Sequence, residues 1–166
     1  MQKTTLALPD IIVDLALQKA KEAFNADEIP VGAVVFNSKT FEVISCAHNE
    51  TIQKYDPLAH AEVVAIRQTC EKLQTKQLVG YSIFTTLEPC VMCAGAIGWA
   101  RLDTVYFGAS DPKTGAVDQG ALVFTHPQTH HKPRVIRGIH SEECGALMTN
   151  FFKAKRQIQK QNRGQK

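Results

Sequence analysis

Two short segments, DPLAHAEVVAIR at 56–67 and TLEPCVMCAGAI at 86–97, constrain this chain more than anything else in it. Each reads as a helix start, and each places metal-binding or acid-base side chains in the opening turn. His60 and Glu62 stand two positions apart, roughly 200° of helical rotation, so they cannot share a helix face. If both serve one site, that site lies ahead of the first turn, where backbone N–H groups are still unpaired. Cys90 and Cys93, three positions apart behind Pro89, do lie on one face of a first turn. A fold that unites all four must bring two helix starts together.

Two thiolates and an imidazole meeting there supply three ligands and leave a fourth position open, the arrangement of a catalytic zinc rather than a closed structural one. The positive ends of two helix dipoles lower thiol pKa values and offset the charge that two thiolates bring. Glu62 need not be a ligand, because a carboxylate beside the metal can take a proton from water that zinc has made acidic. Each part alone has a plainer reading. A CxxC between a strand and a helix also suits a thioredoxin-like dithiol. A histidine at a helix start is commonly a cap or packing residue, and a first-turn glutamate commonly answers the dipole. The joint pattern is far rarer than its parts.

The remaining sequence frames these segments. With 166 residues, 44% of them hydrophobic, the chain is long enough to bury a core, and we expect 1–166 to form a single domain with a basic end at about 153–166. No apolar run approaches the ~20 residues of a membrane span. LALPDIIVDLAL (6–17) is broken by Pro9, Asp10 and Asp14, unlike a signal-peptide core. No membrane association and a cytoplasmic location are therefore expected. The five cysteines are odd in number and lack framework spacing, which predicts reduced thiols, with Cys46, Cys70 and Cys144 as packing residues.

Periodicity predicts a first helix from Pro9 and Asp10, with Ile11, Ile12, Leu15, Ala20, Ala23 and Phe24 as its apolar positions. The β-branched runs 31–37 and 41–49, linked by Ser38 to Thr40, predict a hairpin. Helical patterns follow at 59–73 and 90–101, with strands at 82–86, 104–108 and 134–139. Polar, Gly- and Pro-rich loops occupy 108–121 and 125–133. Ser141, Glu142 and Glu143 open a final helix to about Gln159. Alternating strands and helices predict a sheet covered on both faces, parallel wherever a helix crosses over.

The net charge is only +3, yet Lys153, Lys155, Arg156, Lys160, Arg163 and Lys166 fall in a final segment without a single acid, and the rest of the chain is net negative. That is either a solvated end or an electrostatic footprint for a polyanion.

The H-x-E and P-C-x-x-C pattern resembles that of the zinc-dependent nucleobase deaminases. IPVGAVV (29–35), the AHNE around Asn49, both helix starts, FGASDPKTGA (107–116) and the FFKAKR ending are similar to the bacterial tRNA-specific adenosine deaminase family, from Leu15 to about Arg156. The resemblance implies a three-layer α/β/α fold of cytidine-deaminase type, with a mixed five-stranded sheet and helices on both faces. It implies one zinc ion per subunit on His60, Cys90 and Cys93, with Glu62 as proton shuttle, and hydrolysis of adenosine to inosine at the wobble position of a tRNA anticodon. Val31 would touch the base, Asn49 would hydrogen-bond the flipped nucleoside, and Asp111 would meet a neighbouring ribose. Phe151, Phe152, Lys155 and Arg156 would receive bases and phosphates of the anticodon stem-loop, although one of the two phenylalanines is expected in the core. A homodimer is implied too. Residues 117–135 depart from the family's wording, and their His130 and His131 read as part of a solvated loop.

Two other functions fit the same zinc motif. One is deamination of a free base such as guanine or cytosine, since only the surroundings of the zinc choose the substrate. The other is a non-catalytic, zinc-stabilised RNA-binding module, which would have no use for Glu62.

Overall fold

The computed structural model describes residues 7–163. Leu6, at the head of the 6–17 segment, and residues 164–166 of the basic end, Lys166 among them, lie outside the described residues. Five strands, β1 (Gly32–Asn37), β2 (Val43–His48), β3 (Tyr81–Leu87), β4 (Thr104–Ala109) and β5 (Arg134–Ile136), form one sheet in the order β2-β1-β3-β4-β5. β1 pairs antiparallel with both β2 and β3, whereas β3–β4 and β4–β5 are parallel. The sheet is therefore mixed, as expected.

Helices α1 (Asp10–Asn25) and α4 (Ser141–Arg163) cover one face, and α2 (Ala61–Leu73) and α3 (Val91–Ala100) cover the other. Period-two alternation along the strands divides the core accordingly. Val34, Phe36, Phe84 and Tyr106 pack under α1 and α4 with Cys144. Ala33, Val35, Ile83, Val105 and Phe107 pack under α2 and α3. Cys46, Cys70 and Cys144 are free thiols beside these clusters, and only Cys144 is fully buried. Among the described residues no helix is long and apolar enough to cross a membrane.

The α1 stripe differs from the predicted one. Its buried residues are Ile12, Val13, Ala16, Leu17, Ala20 and Ala23, while Ile11 is exposed. The small Ala16 and Ala20 set the face, because the helix lies so close to β1 that a Cβ on Gly32 would stand 1.9 Å from the Ala16 carbonyl oxygen. β5 stops at Ile136 rather than running to 139, since Gly138 adopts φ +78° and turns the chain toward α4. α4 continues to Arg163, past the expected end.

The link from β4 to β5 carries a 3-10 turn at Val123–Thr125 and no α-helix. It is not the wholly solvated loop expected of 117–135. Val117 and Phe124 are buried in the α2/α3 core, and His131 Nε2 lies 2.7 Å from the Leu102 carbonyl oxygen. His130 remains exposed. Phe124 does the covering that a crossover helix would otherwise do.

Candidate active site

The parallel strand β3 runs outward and ends at Leu87, and the chain then turns through Glu88 and Pro89 into α3. On the neighbouring side, α2 begins where the loop after β2 comes back across the same edge. Neither helix is capped by the side chain of its own N-cap residue. His60 is the N-cap of α2 (φ −71°, ψ 150°) and Cys90 that of α3 (φ −72°, ψ 175°). The position normally given to Ser, Thr, Asp or Asn, whose side chain would bond back to the first turn, here carries a side chain aimed forward. Each backbone carbonyl still opens its helix, with Val64 donating to His60 and Ala94 to Cys90.

The side chains released in this way converge. His60 Nδ1 lies 3.7 Å from Cys90 Sγ and 3.5 Å from Cys93 Sγ, and the three ligand atoms lie within 4.8 Å of one another. A tetrahedral zinc with bonds of about 2.0–2.1 Å to nitrogen and about 2.3 Å to sulfur separates the two by about 3.6 Å. The observed N–S edges match that figure. His60, Cys90 and Cys93 can thus hold a zinc ion and leave its fourth position free.

The charges at the corner point the same way. The Cys90 thiol is held down at about 4, chiefly by the hydrogen bond from Cys93, against its own burial and with help from His60. Cys93, as donor to that thiolate and as a buried group, is raised. One proton shared between two thiols is the state a divalent cation displaces. His60 is raised, first by its bond to Cys90, then by the charges of Glu62 and Cys90, with burial opposing. Glu62 is 4% exposed, and burial brings its carboxyl up to about 7, aided by the Cys90 charge. A carboxyl poised near neutrality beside a metal centre suits proton transfer in both directions.

The other expected residues divide into two groups. Near the corner, Asn49 is buried, and its Oδ1 accepts the Ala61 N–H at 2.8 Å, supplying the cap that His60 does not. Val31 is buried at the entrance to β1, and its carbonyl accepts the Asn49 N–H. Asp111 sits at the start of the loop after β4, where its Oδ1 receives the N–H groups of Lys113 and Thr114. On α4, the two phenylalanines part. Phe151 is buried edge-on against Phe24 and Phe152, whereas Phe152 is 42% exposed. Phe151 is the core member of the pair and presents no stacking face. Lys155 pairs with Asp27 and lies 5.4 Å over the Phe151 ring, and Arg156 is exposed.

Two buried carboxylates were not singled out by the sequence. Glu28 is fully buried and accepts from Thr51 Oγ1 and the N–H groups of Ile52 and Gln53, so it pins the loop that leads into His60. Glu88 is 2% exposed and accepts the N–H groups of Asp111, Val117, Asp118 and Gln119. The signal available for both was an acid just ahead of a proline-marked turn, in EIP and EPC, where a solvated side chain is out of place.

Comparison with known proteins places this architecture. Residues 10–109 match the family model described as the cytidine and deoxycytidylate deaminase zinc-binding region. The tRNA-specific adenosine deaminase of Rickettsia bellii (strain RML369-C) is 42% identical over 138 residues, 83% of this chain and 95% of that protein. A solved structure from work on A-to-I editing by tRNA:A34 deaminases at the wobble position of transfer RNA superposes with TM-score 0.82 at 41% identity, covering 84% of this chain and 99% of the other. A guanine deaminase from Nitrosomonas europaea shares the fold at TM-score 0.75 and 23% identity, covering 89% and 86% of the two chains.

Proposed function

The chain belongs to the cytidine and deoxycytidylate deaminase family, and from that premise we propose that it hydrolyses adenosine to inosine at the wobble position of a tRNA anticodon, with zinc as its cofactor. The observation that carries the chemistry is the convergence of His60, Cys90 and Cys93 with a buried Glu62 at two neighbouring helix starts. The choice of substrate is supported by the likeness to proteins named for tRNA editing and by the basic, acid-free end of α4.

His60, Cys90 and Cys93 hold the ion. Zinc, when bound, supplies the Lewis acidity that makes water nucleophilic at neutral pH. Glu62 takes the proton that water gives up as its oxygen bonds to C6 of adenine and passes it to N1; it then carries the proton of the C6 hydroxyl to the amino group, the C6–N bond breaks as the carbonyl forms, and ammonia leaves. Burial raises the Glu62 carboxyl, which favours the protonated form it must pass through between taking and returning each proton. With Asn49 Oδ1 committed to Ala61, its NH2 faces the nucleoside, and Val31 supplies an apolar wall for the base. Asp111 meets the neighbouring ribose, while Phe152 and Arg156 take an unstacked base and a phosphate of the anticodon stem-loop. Phe151 and Lys155 serve by holding Phe152 and the helix in place.

The enzyme acts in the cytoplasm, where its RNA is found, as one deaminase domain per subunit of a homodimer. The exposed Val91 and Trp99 of α3 offer an apolar surface for such pairing. The test is direct. The zinc-loaded protein is incubated with an anticodon stem-loop carrying adenosine at the wobble position, and separately with free guanine and cytosine. Inosine from the stem-loop alone is expected; turnover of a free base with none of the stem-loop would replace this reading with that of a small-molecule deaminase.

A further inference from the structure

Glu88 lies two residues ahead of Cys90, yet its carboxylate turns away from the metal corner and into the loop after β4. There it accepts N–H groups from Asp111 (3.0 Å), Val117 (3.2 Å), Asp118 (2.8 Å) and Gln119 (2.9 Å). The same loop is laced to the α3 start by backbone contacts, with Ala116 donating to the Pro89 carbonyl and Gly115 bridged to Cys90. Gly115 is required at that spot, because a Cβ there would stand 2.5 Å from Glu88 Cδ and 2.6 Å from its Oε2. A buried carboxylate without N–H donors is costly, and the loop amides without an acceptor are costly too. Each therefore fixes the other.

We propose that Glu88 is a positioning residue that clamps the 111–119 loop against the start of α3 and so sets how tightly the RNA substrate is held. It touches neither metal nor reacting atoms. It fixes the backbone of Asp111, whose carboxylate is oriented in turn by Lys113 and Thr114, and it holds the chain that runs past Cys90. The effect on substrate binding rests on the deaminase reading; the clamp itself does not.

Glu88→Gln removes the charge and puts an NH2 among N–H donors while keeping the shape. Amide hydrogen exchange should show the 111 and 117–119 amides losing protection, with those of β3 and α3 unchanged. Zinc content should stay at the wild-type level, KM for the stem-loop should rise roughly tenfold or more, and kcat should stay within about threefold. Gly115→Ala, whose Cβ would press on both the Glu88 carboxylate and the Asp111 carbonyl oxygen and so part the loop from its acceptor, should give the same split and supplies the answer if Glu88→Gln folds poorly. Loop amides that stay protected in either folded variant overturn the clamp. Lost protection with kcat reduced and KM unchanged overturns the positioning role. Freed amides in a protein that turns over only free bases would keep the clamp and discard the RNA reading.

Discussion

The corner where α2 and α3 begin and the exposed run of α4 are the two regions the proposed function assigns to chemistry and to RNA, and they are built on opposite terms. The corner is dry at its floor. Glu62, Asn49 and Cys93 are each at most 5% exposed, while His60 and Cys90 are half-buried where substrate would enter. The far part of α4 is wet, with Phe152 and every residue from Arg156 to Arg163 exposed. In a dry site charges act at low effective dielectric and one group can decide the outcome. On a solvated helix each contact is screened and contributes little. Changes at the corner should therefore act steeply and changes on α4 gradually.

The largest effect is expected from Cys90→Ala or His60→Ala. Removing one of three protein ligands should cost both bound zinc and all measurable inosine formation, read by metal analysis and a stem-loop assay on one preparation. Next comes Glu62→Ala, which should keep zinc and fold but lose about 10²–10⁴-fold or more in turnover, the range of a positioned acid-base group. Turnover within tenfold of wild type in that variant would mean Glu62 merely fills space, and the corner would no longer differ in kind from α4.

The contrast also explains what the sequence could reveal. The ligand spacing of HAE and PCVMC was legible because metal chemistry tolerates few residue types and helix starts carry local signals. The two-sided sheet was legible because apolar strand runs alternate with helical patterns along the chain, and residues 33–36, 83–84 and 105–107 do divide their side chains between the two cores. Glu28 and Glu88 were not legible as clamps, since what each binds is the backbone of a loop distant in sequence, and backbone amides leave no mark in residue identity. Phe124 was missed for a related reason. The apolar run from Ala121 to Phe124, set between Gly120 and Pro127, is too short to carry a periodicity that shows which member packs beneath the sheet edge.

On α4 the sharpest test sets the two phenylalanines against each other. Phe151→Ala should destabilise the fold by about 3–5 kcal/mol, as expected for a buried ring cut to alanine, visible as a shift in the denaturant midpoint. Phe152→Ala should leave stability nearly unchanged and raise KM for the stem-loop several-fold, the scale of one lost base-stacking contact. If Phe151→Ala leaves stability intact and Phe152→Ala does not, the assignment of core and RNA faces on α4 is reversed.

The smallest effect is expected from Lys160→Ala with Arg163→Ala. Neither residue is needed for the core, so stability should be unaltered and kcat unchanged. Each phosphate contact removed should lower the slope of log binding constant against log salt by about 0.7–0.9. At low salt the stem-loop KM should rise with these substitutions, and the gap from wild type should close as salt is added. That closing gap separates a screened footprint from a dry contact, because substitutions at the corner should cost the same factor at every salt concentration. Salt slopes that match with and without the two charges would leave the end of α4 as a solvated helix end, and RNA binding would then rest on Phe152, Arg156 and the clamped loop.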